Sequence, residues 1–395
     1  MSDSSTLNHA SRVLATVGYD LPADAALRRY LGNARSLGPR ERRSISAAVF
    51  AYYRWLLWLD AKASSQKQVE QALSMGERFD GDPRSVKPEA LAALAVPPWL
   101  KDEMTLSAEF LRNLQSKPVL WIRARPGTAA RLAAELGDCA ATPLAPDALR
   151  YNGTKDLFVT PQFHAGAFEI QDLSSQMVSH IAGPTPGQSW WDACAGEGGK
   201  TLHLADLLQN RGVVWATDRS VRRLEVLKRR AARARIFNYR TAYWGLEEER
   251  SHPASSGAGR TARLPFKTTF DGVLVDAPCS GVGTWRRNPH ARWTTSQEDV
   301  KELSAIQASL LRGAAQAVKP GGCLLYAVCT LTHSETTEIA SSFSASHPEF
   351  EPEARPLPGA PNAQAAGTQT ASFFLWPQNL DANGMFVAVW RRKKP

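Results

Sequence analysis

Residues 190–208 read WWDACAGEGGKTLHLADLL, and this stretch decides the fold of the second half of the chain. The apolar run predicts a strand that ends at Asp192, and the apolar spacing after it predicts a helix that begins near Thr201. Between them lie Gly196, Gly198 and Gly199, which permit a tight turn and a close approach of the backbone to a ligand. A strand, a glycine turn and a helix in this order indicate a ligand site at the edge of a sheet.

The next predicted strand, VVWATD, ends in Asp218. A carboxylate at this place can accept hydrogen bonds from ribose hydroxyls, as it does in dinucleotide-binding folds. The glycines do not have the GxGxxG spacing, and the GKT at residues 199–201 lacks the earlier glycine of a phosphate-binding Walker loop. The turn and the acidic strand end therefore favour a nucleoside cofactor over an ATPase site.

Strand-like and helical segments alternate from about residue 185 onward. The strand-like runs are SWWDAC, VVWATD, FDGVLVDA and CLLYAV. Such alternation predicts an α/β fold with a mostly parallel sheet that is covered by helices on both faces. Two stretches rich in Gly, Pro, Ser and Ala, at 251–263 and 353–371, are predicted to be surface loops.

The first half of the chain has a different pattern. Residues 1–90 are predicted to be helical, with one apolar face formed by Ile45, Ala48, Val49, Tyr52, Leu56 and Leu59. Residues 91–180 are predicted to form a small α+β domain, with strands at PVLWIRAR, LFVT and AFEI and a helix at RLAAELG. The remaining residues, 181–395, would form the third and largest domain.

Composition limits the class of protein. The 395 residues carry a formal net charge of +9, which suits a polyanionic partner because each neutralised phosphate releases counterions. The five cysteines are sparse and odd in number, and they lack the pairing of a metal site, so we expect neither a disulfide framework nor a metal. No apolar run is long enough to span a membrane and no signal peptide is visible, so we expect a cytoplasmic protein.

Two further strands deliver cysteines to the same edge of the predicted sheet. Residues 270–289, FDGVLVDAPCSGVGTWRRNP, place Asp276 and Cys279 after one strand, and residues 321–335, GGCLLYAVCTLTHSE, place Cys329 after the next. Ligands of open α/β folds bind at this carboxyl edge. Most free cysteines are small buried hydrophobes, and we favour that interpretation for Cys139 and Cys323.

Three of these motifs resemble those of a known family. DACAGEGGKTLHLA, DAPCSGVGTWRRNP and YAVCTLTHSE are similar, in order and spacing, to the motifs of the Nop2/Sun family of RNA 5-methylcytosine methyltransferases. The bacterial RsmB-like branch resembles this chain most, and the amino-terminal helical region looks like the NusB-type RNA-binding domain of that branch. The resemblance implies a class I (Rossmann-like) methyltransferase domain preceded by a helical NusB-like region and a small α+β domain.

The resemblance also implies a chemistry and three catalytic residues. Cys329 matches the nucleophile, which adds to carbon 6 of cytosine so that carbon 5 can accept a methyl group from S-adenosyl-L-methionine. Asp276 would hold or protonate the edge of the ring, and Cys279 would assist release of the product. The target base must leave its stack or lie in a single-stranded loop to be reached.

The resemblance assigns binding residues as well. The cofactor-binding residues it implies are Cys194, Ala195, Gly196, Glu197, Gly198, Gly199, Lys200, Asp218, Trp244 and Asp276. Arg286, Arg287 and Arg292 are predicted to bind RNA, and the expected partner is ribosomal RNA. We expect the protein to act as a monomer.

Three positions depart from the family pattern. Gly196 and Glu197 stand where the family has Ala-Pro, Trp244 stands where it has the glycine of a Gly-Asp pair, and His290 stands where it has Asp. These departures keep open an alternative: an RNA-binding family member with weak or lost methyl transfer. A second alternative is DNA methylation, where the nucleophile would be Cys279.

Overall fold

A computed structural model describes residues 3–18, 20–244, 264–356 and 371–395 of the chain. The chain folds into two units. The helical unit comprises residues 1–118 and 281–299, and the sheet unit comprises residues 119–280 and 300–395. This division differs from the predicted domain boundaries, because the helical part continues past residue 90 and also takes in a segment that follows Cys279.

The helices of the described residues are, in chain order, α1 (Ser4–Leu14), α2 (Ala23–Asn33), α3 (Pro39–Arg54), α4 (Ser65–Gly81), α5 (Pro88–Leu94), α6 (Ala108–Gln115), α7 (Ala129–Leu136), α8 (Pro161–His164), α9 (Leu173–Ala182), α10 (Gly199–Leu207), α11 (Val221–Arg233), α12 (Ala291–Thr294), α13 (Gln297–Ala315), α14 (Thr337–Ser346) and α15 (Pro377–Leu380). The strands are β1 (Leu120–Ala124), β2 (Cys139–Ala141), β3 (Ala148–Tyr151), β4 (Phe168–Ile170), β5 (Ser189–Asp192), β6 (Val213–Asp218), β7 (Tyr239–Tyr243), β8 (Phe270–Asp276), β9 (Val318–Val328), β10 (Phe350–Pro352), β11 (Ser372–Leu375) and β12 (Met385–Arg392).

Helix α3 illustrates how the helical unit is built. Pro39 begins the helix, and the Glu41 carboxylate accepts the Gly38 N–H at 2.7 Å, which satisfies an amide that the helix leaves unpaired. Ile45, Ala48 and Val49 are buried and pack against α1, α2 and α4. The helix ends at Arg54, so the predicted apolar face is helical only as far as Tyr52, and a 3-10 turn at Leu56–Trp58 follows.

The small α+β part of the sheet unit is confirmed, with one correction. Its four strands are antiparallel in the order β2-β3-β1-β4. The predicted strand LFVT is wrong, since Leu157–Val159 is a 3-10 turn. The Asp156 side chain accepts the Phe158 N–H, and Thr160 caps the short helix α8, so local side-chain hydrogen bonds replace strand pairing.

The large sheet positions the candidate site. Among the described residues it has the order β10-β12-β9-β8-β5-β6-β7, with β11 paired to β12. Strands β5 to β9 pair in parallel, whereas β10, β11 and β12 form antiparallel pairs. Because β5 lies between β6 and β8, the strand order reverses beside it, and ligands of such folds bind at the carboxyl end of the strands at this point. The glycine turn follows β5.

Trp190 and Trp191 of β5 are both buried, and they contribute to the cores on the two faces of this sheet. Gly272 of β8 lets the sheet close around Trp190, because a Cβ there would lie 2.4 Å from the indole. The described part of the chain contains no helix that is both long and apolar enough to span a bilayer. The predicted loop at 251–263 and most of the one at 353–371 lie outside the described residues.

Candidate active site at the carboxyl edge of the sheet

The turn after β5 is held by two aspartates. Thr201 Oγ1 of α10 donates to Asp192 Oδ2 at 2.6 Å, and the Gly196 N–H donates to Asp218 Oδ2 at 2.9 Å. Gly198 has φ +88°, and a Cβ there would lie 2.6 Å from Leu227 Cγ, so the turn needs glycine at this position. The polar residues predicted from the sequence thus shape the turn before any ligand is considered.

Asp218 has a second structural contact. Its Oδ1 accepts the Ser220 N–H at 2.8 Å, so both carboxylate oxygens already bind backbone amides. Each oxygen has a further lone pair, which leaves capacity for a ribose hydroxyl. The predicted contact between Asp218 and a ribose stays a prediction.

Asp192 is almost completely buried beside these groups. Burial raises the pKa of Asp192 to about 7, and the charges of Asp276 and Asp218 add to this rise, while the Thr201 hydrogen bond opposes it. Its Oδ1 is buried and has no hydrogen-bond partner among the described residues. A ligand that brings a hydrogen-bond donor or a positive charge would satisfy this oxygen.

Lys200, in the first turn of α10, forms an ion pair with Asp276. Its Nζ is 2.7 Å from Asp276 Oδ2, and its side chain is 9% exposed. Burial lowers the pKa of Lys200, but the charge and hydrogen bond of Asp276 and the neighbouring Cys329 outweigh burial, so the pKa lies above its ordinary value. Lys200 is therefore a cation that connects the cofactor turn to the strand end that carries Asp276.

The two predicted catalytic cysteines are brought together. Cys279 Sγ and Cys329 Sγ are 3.3 Å apart, and both residues are half-buried. Strands β8 and β9 are parallel neighbours, with Asp276 opposite Ala327, so the loops that follow them begin side by side. The register of the sheet thus places both thiols and the Asp276 carboxylate at one edge.

A buried glutamate connects the residues that follow the two cysteines. Glu335 is 0% exposed, and its Oε1 accepts the Ser280 N–H at 2.8 Å and Gln307 Nε2 at 2.9 Å. Its Oε2 accepts from the hydroxyls of Ser280, Thr330 and Thr332. Because Ser280 follows Cys279 and Thr330 follows Cys329, one carboxylate holds both cysteine loops.

The sequence reasoning did not identify Glu335, Ser280, Thr330 or Gln307. The available signal was the position of Glu335 within the quoted motif YAVCTLTHSE, close to several hydroxyl and thiol residues. A buried carboxylate needs several donors, and hydroxyl residues at neighbouring strand ends are suitable donors.

The turn fits the cofactor that the resemblance implies. A Cβ at Gly196 or Gly199 would meet no atom within 4 Å, so open space adjoins both glycines. The unpaired Asp192 Oδ1 offers an acceptor for an ammonium or hydroxyl group. The Ala195 N–H already donates to Thr217 O at 2.8 Å, and the Glu197 side chain is exposed. Burial raises the pKa of Cys194 well above its ordinary value, so this thiol stays protonated.

Trp244 is corrected by the structure. It is 3% exposed and packs edge-on against Trp191, with ring centroids 4.8 Å apart. Its N–H donates no hydrogen bond among the described residues. A ring buried in this way belongs to the core and has no free face on which adenine could stack.

Two of the three arginines predicted to bind RNA are also corrected. Arg292 is 0% exposed and donates to Ala95 O and Leu114 O, both at 2.9 Å. Arg286 is buried and donates to Lys117 O. Both guanidiniums are therefore placed to hold main-chain carbonyls inside the helical unit and not to contact RNA. Arg287 is exposed, and its RNA contact stays a prediction.

The sheet order, the glycine turn after its central strand and the adjoining acidic strand end define a class I, Rossmann-like methyltransferase domain. The profile of the family described as 16S rRNA methyltransferase RsmB/F matches residues 180–391, which is more than half of the chain. The chain belongs to this family, as its motifs predicted.

Individual relatives agree with this assignment. The chain is 32% identical over 389 residues to ribosomal RNA small subunit methyltransferase B of Xanthomonas campestris, covering 93% of this chain and 84% of that protein. It is 32% identical over 231 residues to a probable enzyme of the same name from Bacillus subtilis, covering 58% of this chain but only 49% of that protein. The chain thus spans about half the length of the Bacillus relative.

A solved structure shares the fold. The crystal structure of NSun6 from Pyrococcus horikoshii with SFG, an S-adenosylmethionine analogue, superposes with a TM-score of 0.60 at 18% sequence identity. It covers 73% of this chain and 94% of that chain. At this identity the similarity establishes the fold alone.

Proposed function

We propose that the protein transfers a methyl group from S-adenosylmethionine to carbon 5 of a cytosine in RNA, with Cys329 as the nucleophile. The observation that carries the proposal is the 3.3 Å separation of Cys279 Sγ and Cys329 Sγ beside the Lys200–Asp276 ion pair. Membership of the RsmB/F family supports ribosomal RNA as the substrate class.

The cofactor would bind along the turn of residues 192–200. Its ammonium or hydroxyl groups would meet Asp192 Oδ1 and the free lone pairs of Asp218, and the open space at Gly196 and Gly199 would admit it. When bound, S-adenosylmethionine supplies an electrophilic methyl group. Binding of a cationic group next to Asp192 would also favour the ionised form of that carboxylate.

The first step is addition of the Cys329 thiolate to carbon 6 of cytosine. The new carbon–sulfur bond uses the π electrons between carbons 5 and 6, so carbon 5 becomes nucleophilic and can take the methyl group. Lys200 supports this step, because its charge is close enough to Cys329 for the two to interact. A nearby cation stabilises the thiolate form of a cysteine.

Asp276 lies where it could hold the cytosine. Its Oδ2 is occupied by Lys200, and its side chain is 28% exposed, so a carboxylate oxygen remains within reach of a base. A carboxylate can accept a hydrogen bond from the amino group of cytosine or, when protonated, donate to the ring nitrogen. Its pairing with Lys200 fixes the orientation in which it would do so.

Cys279 completes the reaction. After methyl transfer, carbon 5 carries both a methyl group and a hydrogen. A base must remove that hydrogen as a proton so that the carbon 5–carbon 6 double bond re-forms and the Cys329 thiolate leaves. The Cys279 sulfur, 3.3 Å from Cys329 Sγ, is placed beside the adduct and would accept the proton.

The test uses the full chain, S-adenosylmethionine with a labelled methyl group, and small-subunit ribosomal RNA transcribed without modification. Cys329→Ala should abolish methyl transfer, and Cys279→Ala should accumulate a covalent RNA adduct that survives denaturing electrophoresis. Bisulfite sequencing of the RNA locates the product. Adduct formation by Cys329→Ala together with its loss in Cys279→Ala would reverse the two roles. A DNA copy of the same sequence serves as the substrate control.

The departures at Glu197 and Trp244 favour one alternative, an RNA-binding protein with lost methyl transfer. Glu197 adds an exposed carboxylate to the turn, and Trp244 is committed to the core. Calorimetry with S-adenosylmethionine distinguishes the two functions. Saturable binding is expected for the enzyme, and its absence while RNA still binds would establish the alternative.

A further inference from the structure

A cleft of about 860 Å³ lies within the helical unit, separate from the residues described above. Its walls come from α3, α4, the end of α6 and the segment 284–288. Phe50, Trp55 and Leu73 give it an apolar lining. A volume of this size suits one or two nucleotide-sized groups, since ligand pockets span roughly 300 to 1,000 Å³.

The charges around the cleft favour an anion. Arg43, Arg54 and Arg287 line it, and among the described residues no carboxylate lies within ion-pair distance of any of the three. The acidic residues on the wall are Asp24, Glu77 and Asp80. Asp24 pairs with Arg28 at 3.4 Å, and Asp80 pairs with Lys117 at 2.7 Å. Three uncompensated arginines thus face one uncompensated glutamate.

Two buried polar side chains in the wall lack partners. Gln115 is 2% exposed, and neither its side-chain oxygen nor its nitrogen forms a hydrogen bond within the described part of the chain. Arg54 is 6% exposed, and although one of its nitrogens donates to Arg286 O at 3.2 Å, its Nε has no partner there. Burying polar groups without partners is costly, so such groups indicate a ligand that completes them.

Burial has a measurable effect on Arg54. It lowers the pKa of Arg54 to about 10, and the charge of Arg286 lowers it further, while Asp80 raises it. An anion in the cleft would offset both unfavourable contributions.

We propose that this cleft binds one or two unpaired nucleotides of the substrate RNA. The phosphate would lie on Arg43 and Arg287, and the base would lie against the apolar wall near Phe50 and Trp55. Aromatic faces stack any base, and arginines neutralise the backbone, which is the usual chemistry of single-stranded RNA sites. The identity of the ligand as RNA rests on the proposed function, whereas the site itself rests on the cleft.

The test compares charge-matched variants of the full chain. The cleft variant carries Arg43→Glu and Arg287→Glu, and the control carries Arg35→Glu and Arg40→Glu, two exposed residues that do not line the cleft. The probe is a fluorescent single-stranded RNA of about ten cytidines, since single-strand sites cover roughly 4 to 16 nucleotides.

The cleft variant should bind the probe about 30-fold more weakly than the natural chain, and the control about 3-fold or less. The slope of log affinity against log salt should fall by about two in the cleft variant, because each lost phosphate contact removes roughly one unit or slightly less. Equal weakening in both variants would show a non-specific charge effect and overturn the proposal. Unchanged calorimetric binding of S-adenosylmethionine confirms that each variant is folded; if the cleft variant fails it, Arg43→Gln and Arg40→Gln replace the pairs.

Photochemical cross-linking provides a second readout. The probe with one 4-thiouridine should cross-link to peptides that contain Phe50 or Trp55, and the cleft variant should lose that cross-link. Cross-links elsewhere would overturn the proposal even if affinity falls. If the chain methylates RNA but the cleft variant binds and cross-links as the control does, only the cleft assignment fails. If the natural chain binds no RNA, the proposed function fails together with it.

Discussion

One continuous motif, DAPCSGVGTWRRNP at 276–289, contributes to two units that use polar residues in opposite ways. Its first five residues belong to the sheet unit, where Asp276 and Cys279 stay partly accessible at the carboxyl edge. The remaining residues belong to the helical unit, where Arg286 is buried, as is Arg292 shortly after the motif. Chemistry is available in the first part, whereas in the second part these charges hold the fold together.

The difference shows what decides the role of a charged residue in such a motif. Arg292 and Arg287 have the same side chain and lie five positions apart, yet one donates to two main-chain carbonyls and the other reaches the surface. Burial with internal partners commits a guanidinium to the fold, and burial lowers the pKa of Arg292 to about 9. Exposure leaves Arg287 available for a ligand.

The largest effect is expected at Glu335, which serves both cysteine loops. Glu335→Ala removes an acceptor from the Ser280 N–H, Gln307 and three hydroxyls. We expect a loss of about 4 kcal/mol in the free energy of unfolding, since breaking a buried network is among the most destabilising changes. We also expect methyl transfer to fall by about 100-fold, because displaced catalytic groups lose that much from small shifts.

Glu335→Gln is the matched control. An amide nitrogen in place of Oε2 faces the hydroxyls of Ser280, Thr330 and Thr332, which can turn and accept, while the remaining oxygen keeps the Ser280 N–H. This variant should keep most of the stability and activity. If both variants behave like the natural chain, Glu335 does not position the cysteines.

The next effect tests the two arginines directly. Arg292→Met should lower the free energy of unfolding of the helical unit by about 3 kcal/mol, because Ala95 O and Leu114 O lose their buried donors. Arg287→Met should change it by less than about 0.5 kcal/mol, as expected for an exposed side chain. Amide hydrogen exchange in α5 and α6 measures the helical unit separately from the sheet unit. Similar protection in the two variants would contradict the division of roles.

The sequence predicted the strand ends well for a physical reason. Parallel strands share one carboxyl edge, so Asp192, Asp218, Asp276, Cys279 and Cys329 could be assigned to it from strand order alone. The ion pair of Lys200 with Asp276 and the hydrogen bonds of Glu335 depend on side-chain positions that strand order does not specify.

Other features depend on contacts that are distant in sequence. Arg292 is buried because its partners, Ala95 and Leu114, come from helices near the start of the chain. Trp244 became a core residue because Trp191 lies beside it in the sheet unit. A motif match shows which residue types recur, but it does not show which internal partners a given chain offers them.

The smallest effect concerns a buried charge in the sheet unit that, unlike Arg292, has one atom without a partner. Burial raises the pKa of Asp192 to about 7, so the folded chain keeps a proton that the unfolded chain releases near pH 4. The contribution of Asp192 to stability should therefore be complete below about pH 4 and fall as the pH rises towards 7, by about 2 kcal/mol between pH 5.5 and 7.

Asp192→Asn removes this titration while Thr201 Oγ1 can still donate to the amide oxygen, so the hydrogen bond at 2.6 Å is kept. Denaturant unfolding of both chains at several pH values, without ligand, gives the difference in stability as a function of pH. That difference should grow in favour of Asn as the pH rises from 5.5 to 7 and then level off. A difference independent of pH would mean that Asp192 is already ionised in the folded chain, and the unpaired Oδ1 would then need a cation supplied by residues close to the turn. In that case the contrast with Arg292 would disappear, because both buried charges would be compensated from within the protein.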